Sequence, residues 1–167
     1  LYSHPTLPLH LVVMGIGRDA AETAVSYAST RWGTGPTTWV NFGIAGHRDH
    51  ALGTFHQVVA VSVDGEGDNE IVLTPILYAL PHAHLRTFTH FVEARPPAYL
   101  CDMEAYWIAR EHAKLCPDVS LYVFKVVSDN ETDNLLLSDM GKKQLAAYLE
   151  HHARDVLERL HDALITR

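Results

Sequence analysis

The sequence predicts an α/β fold in which a mixed central β-sheet is flanked by helices. Short runs rich in β-branched and aromatic residues alternate along the chain with longer segments whose apolar residues recur at helical spacing. The most regular of the short runs, Val119 to Val127, is followed by Ser128 and Asp129. An acid at the end of a buried strand is typical of ligand sites in open α/β sheets.

The first part of the chain is interpreted as strand, helix, strand. His10 to Gly15 is a β-branched run that stops at glycine, and Arg18 to Trp32 carries apolar and small residues at helical spacing. After a turn at Gly33 to Pro36, Thr37 to Gly43 is predicted as a buried strand, and Gly43 to His47 as a tight glycine-rich turn. This order implies a right-handed parallel crossover.

The rest of the chain supplies further strands and two helices. The predicted strands are Leu52 to Val63, Glu70 to Thr74, Leu85 to Phe91, Ala98 to Cys101 and Val119 to Val127. The predicted helices are Met103 to Leu115 and a last helix capped by Ser138 or Asp139, with an apolar face at Leu145, Leu149, Val156, Leu160 and Leu164. No repeat or linker divides them, so a single domain over residues 1–167 is expected.

Composition argues against several classes of partner. The formal net charge is −7 and no dense Lys/Arg cluster occurs, which disfavours binding to nucleic acid or to an anionic membrane. Two cysteines are too few for a disulfide scaffold, and no signal peptide or membrane-spanning run is evident, so a cytoplasmic protein is expected. The 12 histidines form no metal-binding pattern, so neither a metal nor another cofactor is expected.

Gly15 to Ala20 fits the pattern G-x-G-x-x-A of a dinucleotide site, between a predicted strand and a predicted helix. A dinucleotide fold also requires an acid at the end of the next strand to bind the ribose hydroxyls. The strand Thr37 to Gly43 ends without one. A nicotinamide site is therefore disfavoured.

Two segments carry the strongest chemical signal, namely CDMEAYWIA at Cys101 to Ala109 and FKVVSDNETD at Phe124 to Asp133. They place Glu104 at the start of a helix and Asp129 at the end of a strand. The helix dipole beside Glu104 is expected to favour its ionised form. One acid could then donate a proton while the other stays charged.

These segments resemble the D/E-M-E-A and I/V-S-D motifs of the purine nucleoside phosphorylase and methylthioadenosine/S-adenosylhomocysteine nucleosidase superfamily. VMGIGRDAA, from Val13, is similar to that family's S/G-G-I-G-K-x-A-A stretch, and Gly43 to His47 is similar to its G-[ST]-[AC]-G-G turn. The resemblance extends from Tyr2 to about Leu164 and implies a nucleoside phosphorylase/nucleosidase-like domain. The family's opening strand, with the acid near its end that activates water in nucleosidases, is not expected within the sequence as given, since nothing in Leu1 to His10 replaces it.

The resemblance implies roles for four residues. Asp129 would protonate or hydrogen-bond N7 of a purine, and Ser128 would orient it. A purine anion is a poor leaving group, so a positioned acid helps it depart. Glu104 would bind the ribose hydroxyls, an interaction that strengthens as the sugar gains positive charge. Met103 would pack against the sugar, although a core methionine is the commoner use of that side chain.

The base would be held by Phe91, which is expected to stack on it, and by the wall formed by Ala45 and Gly46. A core position for Phe91 stays an alternative. Two positions depart from the family's turn at this wall, since Ile44 replaces a hydroxyl residue and His47 replaces the second glycine. Asp102 is expected to cap the helix that follows it.

The implied activity is hydrolysis of the N-glycosidic bond of a 5′-substituted adenosine. Asn41 stands where phosphorylases of the family carry an arginine for phosphate, which favours water as the attacking group. A phosphate-dependent phosphorylase stays open, with Arg18 and Lys125 as the nearby cations. A non-catalytic nucleoside-binding or storage protein also stays open, because the opening strand is missing and Ile44 and His47 depart from the motif.

The segment Pro75 to Pro97 predicts a homodimer. It carries few charges and six apolar residues that would be unusual in an exposed loop, namely Ile76, Leu77, Tyr78, Leu80, Leu85 and Phe88. A two-fold partner is therefore expected to cover it and to line part of each pocket.

Overall fold

A mixed six-stranded sheet forms the centre of the computed structural model, which describes residues 2–3, 9–33, 38–67 and 69–165. The elements in chain order are β1 (Tyr2–Ser3), β2 (His10–Leu11), α1 (Arg18–Trp32), β3 (Thr38–Gly46), β4 (Phe55–Val63), β5 (Glu70–Val72), β6 (His82–Thr87), β7 (Leu100–Asp102), α2 (Ala105–Leu115), β8 (Ser120–Asp129), a 3-10 turn (Leu135–Leu137) and α3 (Asp139–Ile165). The predicted α/β class with a mixed sheet is confirmed.

The strand order is β5-β4-β6-β7-β3-β8, and β8 also pairs with β4. Strands β4, β6, β7, β3 and β8 therefore close into a ring. The pairs β3–β8, β4–β6 and β6–β7 are parallel, whereas β3–β7, β4–β5 and β4–β8 are antiparallel. In the long β3–β8 pair, Ala45 lies opposite Val127 and Gly46 opposite Asp129, so Ser128 is an extra residue in a bulge. Bulges redirect side chains and are common next to binding sites.

Two hydrophobic clusters hold the helices on opposite faces of the sheet. Strand β8 shows why, because successive side chains of a strand point to opposite faces. Leu121 and Val123 pack in the cluster that contains residues of α1 and α2, whereas Tyr122 and Phe124 pack in the cluster that contains residues of α3. All four are buried.

The predicted first strand is wrong in extent and in place. Only His10–Leu11 is extended in a ladder, and it pairs with Tyr2–Ser3 in a separate two-stranded sheet. Leu11 and Val13 are 56% and 68% exposed, and Val12 and Met14 on the alternate face are only half-buried, so neither face of the run is buried as a strand of the central sheet would be. The predicted crossover between this strand and β3 is therefore wrong as well.

The predicted turn at Gly43 to His47 is also wrong, because β3 continues to Gly46 along the backbone of β8. The strand predicted at Leu85 to Phe91 lies earlier, at His82–Thr87, and α1 has the predicted bounds. Ser138 caps α3 as predicted, since its Oγ accepts a hydrogen bond from the N–H of Gly141 at 3.0 Å. Parts of two predictions lie outside the described residues: positions 34–37 of the turn and strand, and the side chain of Leu164.

The apolar surface expected in the segment Pro75 to Pro97 is largely absent. Ile76, Leu77, Leu85 and Phe88 are all buried in the chain, at 8% exposure or less. The exceptions are Tyr78 and Phe91, which are 72% and 59% exposed, and Leu80, which is half-buried. In the part of the chain that the structure describes, no helix combines the length and the apolar character needed to cross a membrane.

Candidate active site

A cavity of about 450 Å³ opens where the parallel strands β3 and β8 end. It is lined by all seven residues that the sequence predicted for the site, namely Asp129, Ser128, Glu104, Met103, Phe91, Ala45 and Gly46. These residues come from the ends of β3 and β8, the junction of β7 with α2, and the loop after β6. The cavity thus lies at the carboxyl edge of parallel strands, where α/β folds commonly bind ligands.

Asp129 is buried at the cavity wall, with 5% of its surface exposed. The Oγ of Ser128 donates a hydrogen bond to its Oδ1 at 2.6 Å and lies 3.4 Å from the carbonyl oxygen of Ala45. The bulge in β8 gives Ser128 this position between the two strands. The geometry therefore suits the predicted role of Ser128 in orienting Asp129.

Arg95 is the main feature of the site that the sequence did not predict. Its Nη2 forms an ion pair with Oδ2 of Asp129, and its side chain is 8% exposed. Its guanidinium also lies 5.4 Å from the ring centroid of Phe91. Gly46 makes room for this pair, because a Cβ at that position would lie 2.6 Å from Asp129 Oδ2 and closer still to Arg95.

One sequence signal could have pointed to Arg95. It is the single basic residue between Phe91 and Pro97, a stretch without regular structure. A lone cation in a segment of that kind usually has a partner when it is buried. Which acid it meets could not be read from local pattern.

Glu104 sits at the head of α2 but is held by another helix. The N–H of Gly17, which precedes α1, donates a hydrogen bond to Glu104 Oε1 at 2.7 Å. Gly17 has a φ of 86°, in the left-handed region that favours glycine. The second glycine of the G-x-G pattern therefore positions the carboxylate of Glu104. This contact accounts for the pattern without a dinucleotide site.

Burial raises the pKa of Glu104, and the nearby charge of Asp102 adds to the rise. The hydrogen bond from Gly17 and the charge of Lys125 oppose it. The expected shift of Glu104 toward its ionised form is therefore wrong in direction, because loss of hydration is the largest influence on its pKa and raises it.

Asp102 and Lys125 form a buried ion pair beneath the cavity. Asp102 Oδ2 lies 2.9 Å from Lys125 Nζ, and the side chains are 1% and 2% exposed. Asp102 Oδ1 accepts a 2.7 Å hydrogen bond from Thr87, and its Oδ2 accepts one from the N–H of Ala105 at 2.9 Å. The helix α2 begins at Ala105 and not at the predicted Met103, so its N-cap position is Glu104; Asp102 lies outside that position but still accepts from the first N–H of the helix. Asp102 also neutralises one of the cations considered for phosphate.

The acidic side chains that line the cavity outnumber the cationic ones by one among the described residues. Among the described residues that line it, three are acids, Asp102, Glu104 and Asp129, and two are cations, Arg95 and Lys125. Each cation is paired with one acid. With all five ionised, the lining carries one net negative charge, and Glu104 is the acid that no cation in the described part of the chain approaches within ion-pair distance.

Phe91, Met103 and Asn41 also line the cavity, and none of them carries a charge. Phe91 lines the cavity with 59% of its surface exposed, and Met103 is half-buried beside Glu104. Asn41 lines the cavity, and its Oδ1 is buried without a hydrogen-bond partner among the described residues. The described residues contain no group of three or more His, Cys, Asp or Glu side chains suited to holding a metal ion.

Comparison with known proteins places the fold. No protein-family model matches the sequence, and no curated protein matches it. Among solved structures, the 5′-methylthioadenosine/S-adenosylhomocysteine nucleosidase (MTAN) of Campylobacter jejuni superposes with a TM-score of 0.71 at 15% identity, covering 88% of this chain and 78% of that one. The Helicobacter pylori MTAN has a TM-score of 0.63 at 15% identity, covering 91% and 78%.

A Chlamydia trachomatis MTAN gives a TM-score of 0.59 at 22% identity and covers 84% of this chain and 72% of that one. The chain has the fold of these nucleosidases. Structures of the chlamydial protein are described as bound to MTA and to adenine. The fold that the sequence motifs implied is thereby confirmed.

Proposed function

We propose that this protein is a purine nucleosidase that hydrolyses the N-glycosidic bond of a 5′-substituted adenosine. The net negative charge of the cavity lining carries the proposal. Glycosidic cleavage passes through a sugar with oxocarbenium character, so a site with one acid in excess stabilises the transition state more than the neutral substrate. The nucleosidases with the same fold, one of them described as bound to MTA, support the choice of substrate.

In this proposal Glu104 binds the ribose hydroxyls. The Gly17 N–H fixes Oε1, which leaves Oε2 to accept from the sugar. Because no cation of the described residues lies within ion-pair distance of Glu104, its charge is available to the developing cation. Met103 packs against the sugar, and Ala45, Gly46 and Phe91 bound the base.

Asp129 serves the leaving base. Ser128 fixes one of its oxygens and Arg95 the other. Release of Arg95 from Oδ2 frees that oxygen, which takes up a proton from solvent, bonds N7 of the purine and passes the proton to it as the bond to the sugar breaks, so that Asp129 is again a carboxylate when the sugar carries its positive charge.

The lining also argues against the phosphorylase alternative. A phosphate dianion would enter a site whose two cations are already paired and whose net charge is negative. Its strongest partners would first have to break buried ion pairs. Arg18, the other candidate, instead pairs with Glu22 on α1 and lies over the ring of Trp107.

The test is adenine release from 5′-methylthioadenosine with and without phosphate. We expect the same rate in both conditions. A rate that requires phosphate would contradict hydrolysis in favour of phosphorolysis. Calorimetric binding of the nucleoside without any base release would support a binding or storage protein.

A homodimer is also proposed, on different grounds from those that the sequence suggested. The apolar residues of Pro75 to Pro97 are mostly buried, but the cavity rim exposes Val13, Ile16 and Phe91, at 68%, 81% and 59%. A second copy over this rim would shield the reacting sugar from bulk water. Light scattering at micromolar concentration checks it, and a monomer mass with full activity would refute it.

A cytoplasmic location stays a proposal too. It is supported by two buried cysteines, Cys101 and Cys116, that are both free.

A further inference from the structure

We propose that His47 is a positioning residue that holds the segment Phe91 to Pro97, which we call the strap, at the cavity while Arg95 leaves Asp129. The inference rests on the proposed function, since that function requires Arg95 to leave. His47 directly follows β3, is 5% exposed and is not among the residues that line the cavity. Its contacts nevertheless reach the ends of two strands and the strap.

The proton of the His47 ring has a fixed place. The backbone N–H groups of Asp49 and His50 both donate to Nδ1, each at 3.0 Å. Nδ1 therefore carries no proton, and the proton of the neutral ring is on Nε2. That nitrogen is the donor in the hydrogen bond between the ring and the backbone of Pro97. Burial, and then the charge of His50, lower the pKa of His47, so the ring is neutral at pH 7.5.

The other contacts of His47 fix its ring to the sheet. Its backbone N–H donates to the carbonyl oxygen of Asp129 at 3.0 Å. The ring stacks on that of His50, with centroids 3.6 Å apart, and Nδ1 of His50 lies 3.0 Å from Nε2 of His56 in β4. A bond from a ring held in this way can fix a neighbouring segment that has no regular structure of its own.

Two polar contacts in the described part of the chain join the strap to the ends of β3 and β8. One is the ion pair of Arg95 with Asp129, and the other is the hydrogen bond from His47 to Pro97. The strap also carries Phe91, which bounds the base in the proposed function. When Arg95 leaves, the bond from His47 keeps the strap, and Phe91 with it, at the cavity wall.

Two substitutions separate the roles of the two ring nitrogens. His47→Asn places Oδ1 near the position of Nδ1, where it still accepts from the two N–H groups, but the side chain is too short to reach Pro97. His47→Gln carries an N–H donor near the position of Nε2 and so keeps the bond to Pro97.

The experiment measures KM and kcat for 5′-methylthioadenosine at pH 7.5. In His47→Asn we expect KM to rise by about 3- to 10-fold, the range for one lost hydrogen bond, with kcat within about twofold of the unaltered chain. A rise in KM alone is the mark of weakened binding, which is what a loose Phe91 would cause. In His47→Gln we expect KM to stay within about twofold of the unaltered value.

Two outcomes would overturn the proposal. An unchanged KM in His47→Asn would show that the bond to Pro97 holds nothing that the nucleoside touches. An equal rise in both variants would show that the effect does not come from that bond, because glutamine keeps it. His151→Asn makes the same substitution at an exposed position of α3 and is the matched control, with no change expected.

Proteolysis separates failure of this inference from failure of the proposed function, because it needs no turnover. Glu93 is an exposed residue of the strap, and a glutamate-specific protease cuts after it when the strap opens. Mass spectrometry should show this cut about 3- to 10-fold faster in His47→Asn than in the unaltered chain and in His47→Gln. If the chain releases no adenine, hydrolysis is refuted, but this difference would still support His47 as the anchor of the strap. Equal cleavage in all three proteins would refute that role.

Discussion

Replacing Gly46 with alanine is expected to disable the site without unfolding the protein. Gly46 ends β3 with a backbone conformation that other residues also adopt, since its φ is not positive. An added Cβ would lie 2.6 Å from Asp129 Oδ2, whereas nonbonded heavy atoms rest about 3.5 Å apart. The carboxylate and the Arg95 guanidinium must therefore shift by about 1 Å.

A displacement of that size at a reacting group costs about 10²-fold in rate. We expect that loss in kcat/KM for phosphate-free adenine release. The overlapping atoms are side-chain ends, which can move, so the free energy of unfolding in urea is expected to change by no more than about 1 kcal/mol. The two assays together separate a damaged site from a damaged fold.

Gly43→Ala is the matched control on the same strand. Its Cβ would lie 3.4 Å from Lys125 Nζ, an ordinary contact, so less than about tenfold of the rate should be lost. Wild-type turnover in Gly46→Ala would refute the close approach of Arg95 and Asp129 over this glycine. Equal losses in the two variants would show that the effect is not specific to that approach.

Three further predictions concern charge. Glu104→Gln should lower kcat/KM by about 10²-fold for ribosides but by only about tenfold for 2′-deoxyribosides, because the absent hydroxyl already removes one contact with Glu104. Equal losses for the two substrates would place Glu104 away from the sugar. Lys125→Met should lower the free energy of unfolding by about 3–5 kcal/mol, because it leaves the buried charge of Asp102 without its partner. Urea denaturation measures this loss, and a value below about 1 kcal/mol would contradict the prediction. Burial lowers the pKa of His56 from 6.5 to about 4, so between these pH values the unfolded chain binds a proton that the folded chain does not. The free energy of unfolding should therefore fall by up to roughly 3 kcal/mol as the pH drops from 6.5 to 4, and His56→Gln should make this fall smaller. The same slope of stability against pH in both proteins would refute the prediction.

The parts of the fold that follow from local pattern were predictable. Helix α1 has the predicted bounds because its apolar spacing, preceding glycine and following glycine are all local signals. Strand β8 was predictable because a continuous buried run needs no knowledge of its neighbours. Asp129 and Glu104 could be named because they mark the end of one element and the start of another.

The errors come from tertiary pairing that overrides local signals. Gly43 to Gly46 looks like a turn, yet the backbone of β8 draws it into the sheet. His10 to Gly15 looks like a core strand, but period alone does not say which sheet a strand joins. The ion pairs of Arg95 and Lys125 and the bond from Gly17 to Glu104, 87 residues away, join positions with no common local pattern.

The most direct test of the central claim measures binding and turnover together in Asp129→Asn. Asparagine keeps the shape and can still hydrogen-bond, but it cannot pass a proton to the base. We predict that the affinity for 5′-methylthioadenosine stays within about tenfold, while adenine release without phosphate falls by about 10²-fold or more. Unchanged release in this variant would contradict the assignment of Asp129 as the acid and, with it, this account of the site.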